Sequence, residues 1–250
     1  MISKRSQGGD LKLVVIIAIL PWSVLAGHYQ HSCLNKEVID HSYYSLCYNE
    51  KHEQSQWTEH KLNKSLISGL QTRTNNFRED PKITSGSAGS RDYRGSGYDR
   101  GHLVPAGDMK ENYTSMSESF FMSNMSPQKP GFNRGIWRVL EEEIRSWVKN
   151  TELIVLTGPV LRSGLDQIKG ISIPDQFYKI VYHPQSGRMI GFLLNNEYSR
   201  TPLEEFAVSV NEIEQLTGID FFSNLPLEVQ NKLESQRNYR EWIEALNLSW

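Results

Sequence analysis

The chain has 250 residues, of which 38% are hydrophobic and 22% charged, and this composition excludes a disordered or collagen-like polymer. Its formal net charge of −2 argues against a protein that coats nucleic acid through uniform positive charge. Any contact with a polyanion must therefore come from a local basic cluster.

Residues 1–26 are predicted to be a cleaved export signal. A basic start precedes an apolar run over residues 13–26, and its end, Val24-Leu25-Ala26, suits signal peptidase. The run contains Pro21 and is shorter than the about 20 residues that a membrane-spanning helix needs. We expect the mature chain, residues 27–250, to be a single domain that is secreted or periplasmic and has no stable membrane partner. A retained membrane anchor is the alternative.

Two cysteines, Cys33 and Cys47, follow this signal closely. In an oxidising compartment they could form a disulfide worth about 3 kcal/mol in the chain-entropy description. Two unrelated buried thiols are the alternative. Three nearby histidines, His28, His31 and His41, match no zinc-binding spacing, so we interpret them as flexible surface residues.

The region up to residue 100 is predicted to contain strand and loop. An aromatic-rich strand is expected at residues 43–48, and residues 57–69 alternate only weakly. Residues 82–98 are rich in Gly and Ser, which predicts a long loop of the kind that often carries function. Basic residues outnumber acidic ones over residues 73–100, which indicates either a phosphate-binding surface or a solvated loop.

One amphipathic helix is predicted at residues 133–148. Its apolar residues recur at steps of three and four, which places them on one face against a core: Trp137, Leu140, Ile144 and Trp147. Strands are expected at 153–157, 177–182 and 189–194, and residues 183–187 suit a hairpin turn between the last two.

The carboxyl-terminal region is predicted to be helical. Thr201-Pro202-Leu203-Glu204 has an N-cap residue, a proline in the first helical position and a glutamate three residues after the cap. This helix is expected to end at Gly218. Shorter helices are predicted at residues 225–235 and 238–246.

The most informative motif is Asp99-Arg100-Gly101-His102. Four residues recur by chance, so the surrounding strings decide its meaning. Those strings are Phe77-Arg78-Glu79-Asp80, Asp92-Tyr93-Arg94-Gly95-Ser96-Gly97, Ser123-Asn124-Met125-Ser126-Pro127-Gln128, Asn133-Arg134-Gly135-Ile136-Trp137 and Leu140-Glu141. In this order and at these separations they resemble the DNA/RNA non-specific endonucleases of the ββα-metal (His-Me finger) group, which includes mitochondrial endonuclease G and secreted bacterial nucleases. The resemblance runs from about residue 43 to residue 222.

The resemblance implies an α+β fold of the ββα-metal type, with a central, mainly antiparallel sheet flanked by helices. It assigns His102 as the proton acceptor, and an imidazole with an ordinary pKa of about 6.5 suits that role. It assigns Asn133 as the protein ligand of Mg²⁺, for which Mn²⁺ can substitute, because a neutral amide oxygen suits an ion that keeps most of its waters. The alternatives are a buried structural histidine and a helix N-cap.

Three further residues receive roles from the resemblance. Glu141 is expected to orient water on the metal, and Arg145 to face the scissile phosphate or the leaving group. Arg100 is expected to contact phosphate through its forked donors. Positions 133, 141 and 145 follow one slowly rotating ridge of a helix, since every fourth residue advances by one turn plus about 40°. An exposed ion pair between Glu141 and Arg145 is the alternative.

Supporting roles are expected for two residues beside the motif. Asp99 is predicted to hold the loop or Arg100, and Asn124 to support the metal-binding helix. The chain also departs from some secreted relatives, which carry a further phosphate-binding arginine where this chain has Asn75 and Asn76. Arg73 and Arg78 are the candidates to replace it.

The reaction that the resemblance implies is in-line attack on phosphate by a water that His102 activates, leaving 5′-phosphate and 3′-hydroxyl ends on DNA and RNA. Contacts to phosphate rather than to base edges predict little sequence specificity. The main alternative is a catalytically inactive, nucleic-acid-binding relative of the same fold. Relatives often dimerise, so a homodimer is a further expectation.

Overall fold

The computed structural model describes residues 29–34, 38–148 and 151–246. The predicted export signal and His28 lie outside the described residues. In the part of the chain that is described, no helix has the length and apolar character needed to cross a membrane.

The regular elements alternate between strands and short helices. The strands are β1 (Val38–Asp40), β2 (Tyr44–Asn49), β3 (Gln54–Leu62), β4 (Asp99–His102), β5 (Met125–Gln128), β6 (Leu153–Pro159), β7 (Gln167–Ile168), β8 (Ile171–Ser172), β9 (Gln176–His183), β10 (Arg188–Asn195) and β11 (Ala207–Val208). The helices are α1 (Lys64–Ser68), α2 (Tyr113–Glu118), α3 (Arg138–Trp147), α4 (Val210–Thr217), α5 (Leu227–Glu234) and α6 (Tyr239–Ala245).

A seven-stranded sheet forms the centre, in the order β1-β2-β3-β6-β9-β10-β11, and every neighbouring pair is antiparallel. The predicted strands and the hairpin between β9 and β10 are confirmed. Residues 57–69, which alternate weakly, divide between the end of β3 and α1. Residues 82–98 contain no helix or strand, as predicted for a loop.

An apolar cluster covers each face of the sheet. Successive residues of a strand point to opposite sides, so neighbouring residues contribute to different clusters. Val155 of β6 packs in the cluster that contains α3 and α6, whereas its neighbours Ile154 and Leu156 pack in the cluster that contains α4 and α5. The apolar stripe predicted for the 133–148 region faces the first cluster. The central sheet with helices on its faces is the predicted α+β architecture.

A separate two-stranded unit, β4 paired with β5, stands beside this sheet and is followed by the helical segment that ends in α3. Its register pairs Asp99 with Gln128 and His102 with Met125. Strand, strand and helix together form the expected ββα unit, and the Asp-Arg-Gly-His motif is its first strand.

The predicted helix start at Thr201 is wrong. Residues Leu203–Phe206 form a single 3₁₀ turn, and Ala207–Val208 then add to the edge of β10. The helix begins at Val210, because Ser209 and Glu212 form a capping box in which each side chain accepts from the other residue's backbone N–H. It ends as predicted at Gly218, whose φ of 70° lies in the left-handed region that glycine tolerates.

The predicted exposure of His31 and His41 is also wrong. Both are buried, and each is held by a carboxylate: His31 Nε2 lies 2.6 Å from Glu59 Oε2, and His41 Nε2 lies 2.9 Å from Asp80 Oδ2. The sequence around them is polar, and the partners that bury them are distant in the chain, so local composition carried no signal of burial.

Cys33 and Cys47 form a disulfide, which was the first of the two alternatives left open by the sequence, with their Cα atoms 5.7 Å apart. The bond attaches the segment 29–34 to β2. Hydrogen bonds join the same segment to the carboxyl-terminal part of the fold, from Ser32 N to Asp220 O (2.8 Å) and from Ser223 N to Gln30 O (2.8 Å). The amino-terminal segment is therefore fixed to two distant parts of the chain.

Removing the disulfide with Cys33→Ser and Cys47→Ser together should reduce the free energy of unfolding by about 3 kcal/mol, because the unfolded chain regains the freedom of that loop. For a chain of this size the Tm should fall by roughly 6–12 °C. Calorimetry of the variant and of the reduced wild-type chain measures the change. An unchanged Tm in both would contradict the structural role.

Candidate active site

The Asp-Arg-Gly-His motif divides its side chains between the two sides of β4. Arg100 and His102 both contact Phe77: the guanidinium carbon of Arg100 lies 4.1 Å from the ring centroid, and the His102 ring lies 5.9 Å from it. Gly101 points to the other side, where a Cβ atom would lie 2.1 Å from Gln128 Oε1. A larger residue at this position would have to displace the Gln128 side chain.

His102 differs from three of the buried histidines in having no carboxylate partner. His31, His41 and His60 each lie against an acidic side chain, whereas the buried Nε2 of His102 has no hydrogen-bond partner among the described residues. Burial lowers the pKa of His102 to about 3, and the positive charges of Arg73 and Arg100 add to the effect. The imidazole is therefore neutral at neutral pH, as a proton acceptor must be.

Asn133 lies in a wide π-helical turn, Phe132–Trp137, that precedes α3. The turn bends at Gly135 (φ −102°, ψ −116°), so Asn133 is not on the same regular helix as Glu141 and Arg145, and the single ridge predicted for all three is interrupted. Nor is Asn133 an N-cap, since that position belongs to Gly131. Its Nδ2 donates instead to Asp99 Oδ2 (2.9 Å).

Asp99 bonds the turn that carries Asn133 rather than Arg100. Arg134 donates two hydrogen bonds to the Asp99 carboxylate, from Nε to Oδ2 (2.8 Å) and from Nη2 to Oδ1 (2.6 Å). Asn133 donates a third. Burial opposes ionisation of Asp99, but the hydrogen bonds from Arg134 and Asn133 lower its pKa below the ordinary value. The carboxylate of Asp99 binds the nitrogen of the Asn133 amide. The amide oxygen, Oδ1, accepts no hydrogen bond from a described residue.

Glu141 is half-buried on α3. It has no ion-pair partner within the described residues, so the predicted alternative, an exposed pair with Arg145, does not form. Burial raises the pKa of Glu141, and the nearby positive charges of Lys179, Arg145 and Arg73 oppose that rise. Asp108 adds a second negative charge to the same region.

Arg145 is fixed by a buried carboxylate that the sequence did not reveal. Its Nη1 lies 2.7 Å from Asp108 Oδ1, and the other oxygen of Asp108 lies 3.1 Å from His60 Nε2 on β3. The guanidinium lies against Gly107, where a Cβ atom would lie 3.0 Å from Nη1. The loop after His102 thus positions Arg145 relative to the motif.

Replacing Asp108 with Ala should reduce the free energy of unfolding by about 3–5 kcal/mol, because it leaves Arg145 and His60 without their partner in a buried site. Burial opposes ionisation of Asp108, but the hydrogen bond from His60 and the charge of Arg145 lower its pKa. The stabilisation is therefore complete above the ordinary pKa of about 3.9 and is lost as the pH falls through the lowered value. Urea denaturation at neutral and acid pH measures both effects.

The matched control for Asp108 is Asp175→Ala, which removes the carboxylate of an exposed ion pair with Arg162. A surface pair contributes about 1 kcal/mol or less, so this change should be small at every pH. Equal effects of the two substitutions at neutral pH would show that the buried network has no special role.

Lys179 is a buried cation at the base of this region. Its Nζ donates to Thr157 Oγ1 (2.8 Å) and lies 4.7 Å from the ring of Trp137. Trp137 is the last residue of the wide turn that carries Asn133. Burial lowers its pKa, and the charges of Glu141 and Asp108 oppose that shift. The signal that could have revealed it is a single lysine in the otherwise apolar and aromatic strand 177–182.

Comparison with known proteins gives a consistent result. The family model described as DNA/RNA non-specific endonuclease matches residues 28–228. The chain belongs to this family. Nuclease C1 of Cunninghamella echinulata var. echinulata is 33% identical over 220 residues, which cover 79% of this chain and 87% of that protein. Human mitochondrial endonuclease G is 31% identical over 202 residues, covering 73% and 68%.

The fold comparison agrees with the sequence comparison. A crystal structure of the complex of EndoG with EndoGI superposes with a TM-score of 0.69 and 27% identity, covering 80% of this chain and 91% of that one. Family membership and the named relatives identify the chain as a nuclease.

Of the two arginines considered in place of Asn75 and Asn76, Arg73 lies on the His102 side of the site. The guanidinium of Arg73 lies 5.1 Å from the Phe120 ring, which also packs edge-on against the His102 ring at 4.9 Å. Arg78 instead donates to Ser117 O (2.9 Å) and lies on Phe121. Arg73 is therefore the arginine that lies beside the motif.

Asn124 was predicted to support the metal-binding helix, but its side chain bonds other residues. Its Oδ1 accepts from Val104 N (2.8 Å), and its Nδ2 donates to Val104 O (3.0 Å) and Ser119 O (2.8 Å). It fixes the chain immediately after His102. Asn124 therefore supports the segment that follows His102 and has no hydrogen bond to the turn of Asn133 within the described residues.

Proposed function

We propose that this nuclease is an exported, magnesium-dependent endonuclease that hydrolyses phosphodiester bonds of DNA and RNA with little sequence specificity. The observation that carries the proposal is the state of His102: a neutral imidazole with no carboxylate partner, next to Arg73 and Arg100. A histidine kept for stability alone would be expected to have a partner, as His31, His41 and His60 do.

In the proposed reaction His102 accepts a proton from the water that attacks the phosphorus in line. The two arginines that lower its pKa in the free protein also attract the phosphate, and the bound anion then offsets their charge and raises the basicity of the imidazole. Arg100 is proposed to bind the phosphate through its forked donors. The surrounding Phe77 and Phe120 rings exclude bulk water from one side of the base.

The residues present fit a magnesium ion. Asp99 holds the amide of Asn133 by its nitrogen, which leaves Oδ1 as a hard oxygen donor, and Glu141 supplies a second oxygen group that can orient water. No cluster of three His, Cys, Asp or Glu residues suited to a metal is found in the described ranges, which fits an ion that keeps most of its waters. When bound, Mg²⁺ would stabilise charge on the phosphate and on the leaving oxygen.

Arg145 is proposed to stabilise the departing 3′ oxygen, so that the products carry 5′-phosphate and 3′-hydroxyl ends. Asp108 binds one nitrogen of the Arg145 guanidinium, and Gly107 lies against the same group. These contacts limit the rotation of the guanidinium before substrate binds. A preorganised cation of this kind stabilises charge that develops in the transition state without a reorganisation step.

Export to the periplasm or the exterior is supported by the disulfide and by the pattern of residues 1–26. The relatives include mitochondrial nucleases, so membership of the family does not fix the cellular location, and the proposal of export rests on features of this chain. We also propose a homodimer as the assembly to test, by light scattering of the mature chain.

The proposal is tested by incubating plasmid DNA and structureless RNA with the mature chain and Mg²⁺, then with excess EDTA, then with EDTA followed by Mg²⁺. We expect cleavage of both polymers, loss with EDTA and recovery with Mg²⁺. Cleavage should also fall as salt rises, because the binding contacts are to phosphate. Cleavage that persists in EDTA would reject the metal. An inactive, well-folded chain would favour the nucleic-acid-binding alternative.

A further inference from the structure

A solvent-exposed tyrosine lies beside the wide turn that carries Asn133. Tyr198 leaves 59% of its surface exposed, which is unusual for so large an aromatic residue in a rigid position. An atom added as Cβ at Gly131 would lie 3.1 Å from Tyr198 Cβ, and one added at Gly135 would lie 4.0 Å from Tyr198 Cδ2. The two glycines stand two residues before and two residues after Asn133, so the ring lies against this turn on the face that Gly131 and Gly135 share.

The loop that carries Tyr198 is held in place by a buried asparagine. Asn196 Oδ1 accepts from Lys129 N (2.8 Å), and its Nδ2 donates to Pro127 O (3.1 Å) and Pro174 O (3.0 Å). Pro127 and Lys129 belong to the end of β5 and the segment that leads into the wide turn. Tyr198 and Asn133 are therefore positioned by the same part of the backbone, before any substrate binds.

Basic side chains lie around the ring, and one of them, Arg134, is paired with Asp99. Arg200 lies 5.7 Å from the Tyr198 ring centroid and donates to its hydroxyl, and Arg134, in the turn below, has a side chain that is 72% exposed. Lys129 is exposed on the same segment, and Glu197 is the acidic neighbour. An exposed aromatic face bordered by arginines is the combination that binds a nucleic-acid strand by base stacking and phosphate attraction.

We propose that Tyr198 is a base-stacking platform for the nucleotide next to the scissile phosphate, on a single strand whose bases are free to leave the helical stack. This inference rests on the proposed function, because it places the cleaved phosphate at Asn133. Gly131 and Asn133 are two residues apart in the same turn, so a strand that leaves a phosphate held at Asn133 and crosses the turn passes close to the ring. The platform makes unpaired strands better ligands than duplexes.

The test uses the His102→Ala chain with Mg²⁺ present, because its slower cleavage leaves the probe intact during a short titration. Fluorescence anisotropy gives the Kd for single-stranded oligodeoxyadenylate and for an abasic chain with the same number of phosphates. Adding Tyr198→Ala should raise the Kd for oligodeoxyadenylate about 5- to 150-fold, the range found for one base on one aromatic side chain. Adding Tyr198→Phe, which keeps the ring, should leave it unchanged.

The abasic chain separates stacking from charge. Its Kd should be the same with Tyr198→Ala as without it, because the phosphates are unchanged and only the base is missing. Equal weakening for both probes, or no weakening for either, would overturn the inference, and an unchanged Tm confirms that the variant is folded. Cleavage of RNA by the wild-type chain tests the proposed function separately, so the two can fail independently.

Discussion

The His102→Ala chain is expected to cleave plasmid DNA and RNA about 10²–10⁴-fold more slowly than the wild type, the range that a positioned general base contributes. His102 is the neutral imidazole of the site, and no other described histidine lies on β4 or contacts Phe77. The loss should appear mainly in kcat, because Arg73 and Arg100 remain to bind phosphate. Initial rates over a range of substrate concentrations separate kcat from KM.

The matched control is His183→Ala. His183 is also buried, but its ring bonds Ser186 and Thr151 at the turn between β9 and β10. Its removal should cost stability and leave the rate at low temperature unchanged. Full activity of the His102 variant, with loss in the control, would remove His102 from the mechanism.

The Asn133→Ala chain is expected to require far more Mg²⁺ for activity. Loss of a residue that merely orients a metal ligand costs about 10–100-fold in metal affinity or activity, and the loss of the proposed ligand should exceed that range. Rates measured against Mg²⁺ concentration give the half-saturating value. Asp99→Asn, which disturbs the hydrogen bonds that fix the Asn133 amide, should show a smaller shift in the same direction.

An exposed asparagine supplies the control for this titration. Asn195 lies at the end of β10, and its side chain bonds Gln176 and Glu197. Asn195→Ala should leave the Mg²⁺ dependence unchanged. If Asn133→Ala behaves in the same way, the metal is held elsewhere and the proposed ligand is wrong.

The elements that the sequence predicted well are those whose signal is local. The stripe of Trp137, Leu140, Ile144 and Trp147 and the paired strands around residues 183–187 repeat with the period of their own structure, so no distant contact was needed to recognise them. The motif and its surrounding strings likewise led to the family. Catalytic roles followed from the resemblance and not from the helical wheel, which the bend at Gly135 interrupts.

The features that were missed depend on distant partners. Thr201 has the sequence of a helix start, but residues 207–208 pair with the edge of β10. Ser209 therefore becomes the N-cap, and the helix begins at Val210. Asp108 is one acidic residue in a loop until the fold places His60 and Arg145 on its two oxygens. Tertiary contacts decide such cases, and a single sequence does not record them.

The attachment of residues 29–34 has a consequence for the order in which the chain can fold during synthesis. Cys33 and Cys47 are made close together and can pair early, whereas Gln30 bonds Asn224 and Ser223, which are made much later. At about 5–20 residues per second the ribosome needs about 10–40 s to make the intervening segment. Residues 29–34 are thus among the last parts of the described chain to reach their final place.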